Sequence, residues 1–195
     1  MAGRIVILNG APRSGKSSLA KAVQAEVPGR WVNWGVDAFN ATLPETLFPG
    51  IGLRPGGERP DLEPTVKSLF AVYASTLVAL AAAGFDVVAD LGLHRHYASP
   101  FDPGALLDDA IGGLTVLRVG VDCDLDTIMA RRNADPGSIY AKGDEAPPPV
   151  LLWQSAVHDN RPYDLRLDMG HLTPSAGAAK IAARMGEPAH LGASI

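Results

Sequence analysis

Ile5-Val6-Ile7-Leu8-Asn9-Gly10-Ala11-Pro12-Arg13-Ser14-Gly15-Lys16-Ser17 decides how the rest of this 195-residue chain is read. Four consecutive aliphatic residues predict a strand buried on both faces, since a half-exposed strand would alternate with polar residues. The strand runs directly into Gly10-Ala11-Pro12-Arg13-Ser14-Gly15-Lys16-Ser17, which carries two glycines, a lysine and a hydroxyl at the spacing of a phosphate-cradling loop. Glycines there let the backbone aim several N–H groups at phosphate oxygens, and the following helix adds its positive end. Leu19, Val23 and Val27 give that helix its apolar stripe. Gly10, Ala11, Pro12, Arg13, Ser14, Gly15, Lys16, Ser17 and Ser18 are therefore the expected binding site for ATP. Lys16 would reach the β- and γ-phosphates, and the Ser17 hydroxyl would help to hold Mg²⁺. A glycine turn capping an ordinary helix is the alternative, and the flanking strand and helix argue against it.

Further strands are expected at 85–89 and 114–121, with weaker candidates at 31–36 and 165–167. Between them, Val66, Phe70, Tyr73, Leu77 and Leu80, and then Leu125, Ile128 and Met129, have helical spacing. Repeated alternation of strand and helix predicts an α/β fold of three layers, with a mostly parallel sheet between helices, because parallel strands need a crossover that is usually helical. One domain is expected over 1–186, with a tail at 187–195. Two stretches break the rhythm. Residues 44–64 are rich in proline and glycine and read as a loop covering a substrate. Residues 133–149, which include Lys142, read as a lid segment.

Two carboxylates fall where open α/β sheets gather ligands, at the carboxyl ends of expected strands. Asp90 is read as a magnesium or substrate contact, or as a cap on the next turn. Asp37, after Trp31-Val32-Asn33-Trp34-Gly35-Val36, is a substrate contact and the candidate general base for an acceptor hydroxyl, or a helix N-cap. Arg131 and Arg132 end an expected helix, and at least one of the pair is a candidate for offsetting charge on a transferring phosphoryl group.

Net charge is −4, and the twelve arginines are dispersed, so nucleic acid is not an expected partner. Read by local runs, no stretch reaches the roughly 20 apolar residues of a membrane span, so none is expected. A single cysteine, Cys123, excludes an internal disulfide, and with the need for ATP it points to the cytoplasm. Cys123 is expected as a packed thiol. The five histidines have no zinc-ligand spacing. Self-association into a homo-oligomer is left open.

Several of these stretches together carry a family likeness. Ile7-Leu8-Asn9-Gly10 leading into Ser14-Gly15-Lys16-Ser17, Trp34-Gly35-Val36-Asp37, Ala83-Gly84 before the strand ending at Asp90, Val116 to Val121 with Cys123-Asp124, and Val157-His158 with Tyr163-Asp164 and Asp168 resemble the chloramphenicol phosphotransferase-like proteins. The likeness spans most of the chain. It implies a P-loop kinase fold related to shikimate and adenylate kinases, and phosphorylation of a small-molecule hydroxyl by ATP, with Asp37 as the base. The chain departs from the family pattern at Asp90-Leu91, where two aspartates are expected, and at Ala134-Asp135-Pro136-Gly137, where the lid is expected to hold an Asp-Arg step. Kinases for another metabolite, nucleotide or sugar acceptor, and a nucleotide-controlled binding module without transfer, are the competing expectations.

Overall fold

Ile5 and Ile7 of the first strand pack into one hydrophobic cluster, and Val6 and Leu8 into another, so this strand lies between two layers of helices. The structure is a computed structural model that describes residues 1–44, 46–47, 60–135 and 143–186. In chain order its elements are β1 (Ile5–Asn9), α1 (Lys16–Glu26), β2 (Trp31–Asn33), α2 (Val36–Asn40), a 3₁₀ turn (Pro60–Leu62), α3 (Glu63–Ala82) and β3 (Asp86–Leu91). There follow α4 (Pro103–Ile111), β4 (Val116–Asp122), α5 (Leu125–Ala134), α6 (Pro148–Ala156), β5 (Leu165–Asp168) and α7 (Pro174–Arg184).

The five strands are all parallel, in the order β2-β3-β1-β4-β5. On one face, Leu19 and Val23 of α1 and Ala178 and Ile181 of α7 cover Val6, Leu8, Val88, Val119 and Val121. On the other, Tyr73, Leu77 and Ala81 of α3 and Leu107 and Ile111 of α4 cover Ile5, Ile7, Val87 and Ala89. Parallel strands point the same way, so the loops after β1, β3 and β4 all emerge at one end.

Several expected boundaries move. The strand expected over 31–36 stops at Asn33, because Gly35 caps the short helix α2. Asp90 lies inside β3, one residue before its end. The expected loop 44–64 closes with helix, since Pro60–Leu62 form the 3₁₀ turn and α3 already starts at Glu63. Residues 45 and 48–59 of that loop, and 136–142 of the expected lid with Lys142, fall outside the described residues, as does the tail 187–195. The lid's two ends belong to α5 and α6.

The segment Pro60–Ala82 has a mean hydropathy of 1.5 and is long and apolar enough to cross a membrane by length and composition. Its charged residues are Asp61, Glu63 and Lys67, near its start. Its inner face packs into the core on the α3 side of the sheet, and 28% of its most apolar stretch is buried there.

At the end of β1, the buried side chain of Asn9 bonds three distant segments. Its Nδ2 donates to the Val157 carbonyl and the Tyr163 hydroxyl, both at 2.7 Å, and its Oδ1 accepts from Leu93 N at 2.7 Å. Asn9→Ala leaves these buried groups short of partners and is expected to cost about 2–4 kcal/mol, read as a shift in the urea unfolding midpoint.

Candidate active site

The loop after β1 turns sharply because two residues take left-handed backbone angles, Arg13 (φ 68°) and Gly15 (φ 104°). Gly15 adopts this without steric cost, while Arg13 bears some strain. Gly10 serves by its size, since a Cβ there would meet the Val121 carbonyl. Helix α1 starts at Lys16 with neither a side-chain cap nor an acidic residue in its first turn, which leaves its N–H donors for an anion. Pro12, Arg13, Gly15, Lys16, Ser17 and Ser18 line the cavity at this end, together with Gly10. Ala11 and Ser14 are buried instead and act through backbone, with Ser14 N donating to Ala11 O at 3.1 Å.

The Lys16 ammonium donates to Ala11 O at 2.8 Å. Burial pushes its pKa down to about 8, and the nearby carboxylates of Asp90 and Asp37 resist that fall. A lysine so placed is loosely protonated until phosphate charge arrives.

Register explains Asp90. It sits beside Leu8 of β1, one strand away from the phosphate loop. From there its Oδ2 accepts the Ser17 hydroxyl at 2.7 Å. A hydroxyl and a carboxylate converging beside a phosphate loop suit Mg²⁺, which takes a few protein oxygens and completes its shell with phosphate and water. Among the described residues no group of three or more His, Cys, Asp or Glu converges as a metal cluster. A magnesium ion held by Ser17 and Asp90 would thus depend on the nucleotide for further ligands.

Gly35 makes the Asp90 position available. Its backbone (φ −74°, ψ 165°) is one that any residue adopts, so flexibility is not the reason for glycine. A Cβ at this position would overlap Asp90 Oδ1. Helix α3 fixes the same turn, since Tyr73 Oη donates to the Trp34 carbonyl at 2.7 Å and Trp34 Nε1 donates to Thr76 Oγ1 at 2.9 Å. Asp37 follows in the first turn of α2 and lines the cavity, so it is neither the last residue of a strand nor the helix cap, which is Gly35.

The two arginines separate. Arg131 lines the cavity and bridges the phosphate loop to the segment after β5, donating to Arg13 O at 3.1 Å and Met169 O at 2.7 Å. Arg132, one helical step on, is 4% exposed against Met129 and is not among the lining residues, which corrects its candidacy as a transition-state cation. Asp135, at the departure from the expected lid pattern, forms an ion pair with Arg13. Cys123 is packed against Ala11, Ile128 and Val157, and burial raises its pKa.

These groups share a cavity of about 810 Å³. It is also walled by Phe39, Leu69, Phe70, Tyr73, Tyr97 and Trp153, along with His94. Sequence reading missed this wall, because its members come from α2, α3, α6 and the loop after β3, and only folding brings them together.

A phosphate loop after the central strand of a parallel sheet, with a carboxylate at the neighbouring strand end, defines a P-loop kinase-type protein. The model of the chloramphenicol phosphotransferase-like protein family matches residues 3–186, and the chain belongs to that family. Sequence comparison with curated proteins gives no match. Among solved structures, a sugar kinase from a Janibacter species superposes with a TM-score of 0.66 at 20% identity, covering 94% of this chain and 95% of that one. The APS kinase of Mycobacterium tuberculosis, in complex with AMPPNP and APS, gives 0.64 at 20% identity over 95% and 99% of the two chains. The tunicamycin resistance protein of Deinococcus radiodurans gives 0.64 at 18% identity over 97% and 99%. At these identities the likeness shows the fold.

Two outcomes are expected. Nucleotide affinity should fall as pH rises through about 8, because the free protein then loses the Lys16 proton and binding must restore it. Calorimetry at pH 9 in buffers of different ionisation enthalpy should read uptake of close to one proton per nucleotide, against much less at pH 7. Gly35→Ala should displace Asp90 from Ser17 and raise the magnesium concentration needed for half-maximal activity about tenfold or more, with metal-free nucleotide affinity unchanged.

Proposed function

We propose that the protein transfers the γ-phosphate of ATP to the hydroxyl of a neutral, largely apolar small molecule, with chloramphenicol as the first acceptor to test. The observation that carries this reading is one cavity lined both by Lys16, Ser17, Asp37 and Asp90 and by a set of aromatic and aliphatic side chains. Among the described lining residues, the cations Arg13 and Lys16 belong to the phosphate loop and Arg131 is bonded to it. An anionic acceptor, such as the APS bound to the mycobacterial kinase, would want a further cation away from that loop. Family membership supports phosphoryl transfer, and the supply of ATP supports a cytoplasmic setting.

In this mechanism the acceptor oxygen attacks the γ-phosphorus in line while the bond to the β–γ bridging oxygen breaks and ADP leaves. Asp37 orients the hydroxyl and takes its proton. Lys16 and the N–H groups from Gly10 to Ser17 hold the phosphates, and Arg131 stands where it can meet charge on the transferring group. Magnesium, held by Ser17 and Asp90 when bound, would supply further neutralisation of phosphate charge.

Purified protein with Mg·ATP and chloramphenicol is expected to release ADP and add one phosphate to the antibiotic, read by mass spectrometry. Asp37→Asn should keep ATP affinity and lower turnover by about 10²-fold or more. Unchanged turnover would remove Asp37 from the base role. ATP binding without ADP release or adduct for any hydroxyl acceptor would instead favour the nucleotide-controlled binding module.

A further inference from the structure

Arg13 keeps a long side chain where the backbone favours glycine. Its φ of 68° lies in the left-handed region, which strains a residue with a Cβ and not a glycine. Strain retained beside a candidate site points to a use for the side chain that causes it. Arg13 belongs to the phosphate loop, three residues before Lys16, and lines the cavity.

Its guanidinium has a counter-ion. The carboxylate of Asp135, the residue that closes helix α5, forms an ion pair with it. Asp135 is not among the lining residues, so the pair reaches from the cavity wall to the end of α5. The helix itself does not call for a negative charge there. A carboxylate at the carboxyl end of a helix faces the negative end of its dipole, and Arg131 and Arg132 in the last turn already supply the favoured sign. That turn also fixes the backbone of residue 13, because Arg131 Nη1 donates to the Arg13 carbonyl at 3.1 Å. Helix α5 thus holds residue 13 twice, once by its backbone and once by its charge. A guanidinium binds carboxylate and phosphate oxygens through the same charge-assisted hydrogen bonds, so a phosphate chain and Asp135 compete for Arg13. The two side chains are 37% and 26% exposed, and an ion pair this open is weak enough for a phosphate to replace.

We propose that Arg13 and Asp135 form an electrostatic latch on the phosphate loop: Asp135 holds the Arg13 guanidinium while no nucleotide is bound, and the phosphate chain of a nucleoside triphosphate displaces it. This goes beyond the phosphotransferase reading but rests on its nucleotide site. Binding exchanges the contact to Asp135 for one to phosphate and leaves the Arg131 bond in place. Nucleotide occupancy is thereby coupled to the end of α5, and the affinity of the loop is set below what its donors alone would give.

A double-mutant cycle separates the pair from every other effect of either charge. Mg·AMPPNP is titrated by calorimetry into the full chain, into Arg13→Gln, into Asp135→Asn and into the double variant, and Asp135→Ser repeats the cycle with a second neutral side chain. Asp135→Asn is expected to tighten binding about fivefold in the parent, and by less than about twofold in the Arg13→Gln background, where no guanidinium remains to be released. A stoichiometry of one nucleotide per chain verifies that each protein is folded. Equal tightening in both backgrounds would reflect only the loss of a negative charge near the phosphates and would overturn the latch. Unchanged or weaker binding by Asp135→Asn in the parent would overturn it too, and both results leave phosphoryl transfer standing. Failure of the wild-type protein to bind AMPPNP would overturn the phosphotransferase reading and the latch with it.

Discussion

Asn9 has one short side chain and is joined through it to the segment after β3, the end of α6 and the approach to β5. The phosphate loop begins at the next residue, and the segment after β3, which leads from Asp90 to His94 and Tyr97, is among those this side chain unites. Hydrogen bonds in a water-free interior are strong and costly to leave unmade, so the three partners are held to their distances from β1. The network continues outward. The Tyr163 hydroxyl also meets His158 Nδ1 at 2.8 Å, and His158 Nε2 lies 3.3 Å from Asp122, which is paired with Arg166. Burial lowers the His158 pKa, which keeps this ring predominantly neutral at pH 7. The phosphate loop thus rests on a polar lattice as well as on the apolar core.

Charge balance above that lattice is close. Lys16 lies near two carboxylates and is desolvated, while Asp90 also accepts the Ser17 hydroxyl and Asp37 lines the cavity. An added phosphate chain would shift this balance toward the charged lysine, which places the coupling between proton and nucleotide in the same few ångströms as the chemistry.

Local features were legible in the sequence. The strand, loop and helix from Ile5 to Val23 are encoded by contiguous residues, and all five strands were found because buried parallel strands are runs of aliphatic side chains. The short α2 entered only as an alternative, and three longer helices were not read. α4, α6 and α7 each begin at a proline, a residue that reads as a breaker unless its first-turn position is recognised. At the site, Lys16, Ser17, Asp37 and Asp90 could be named from sequence, but the need for glycine at position 35 could not, because it arises from a carboxylate 55 residues further on. Arg131 and Arg132 differ only by a 100° step around α5, and deciding between them required knowing which side of that helix meets the phosphate loop. The aromatic wall of the cavity is drawn from four separate elements and has no sequence signature.

The sheet's two margins have a further consequence. β2 offers three residues and β5 four, and β5 carries the exposed Arg166 on its outer course. Parallel sheets assemble late, because each strand must wait for a long crossover before it finds its neighbour. During that interval an unpaired margin is a template on which another molecule can deposit a strand. Margins this short, one of them charged, give such a newcomer few backbone bonds, so the chain can form a wholly parallel sheet with little exposure to self-association on the way.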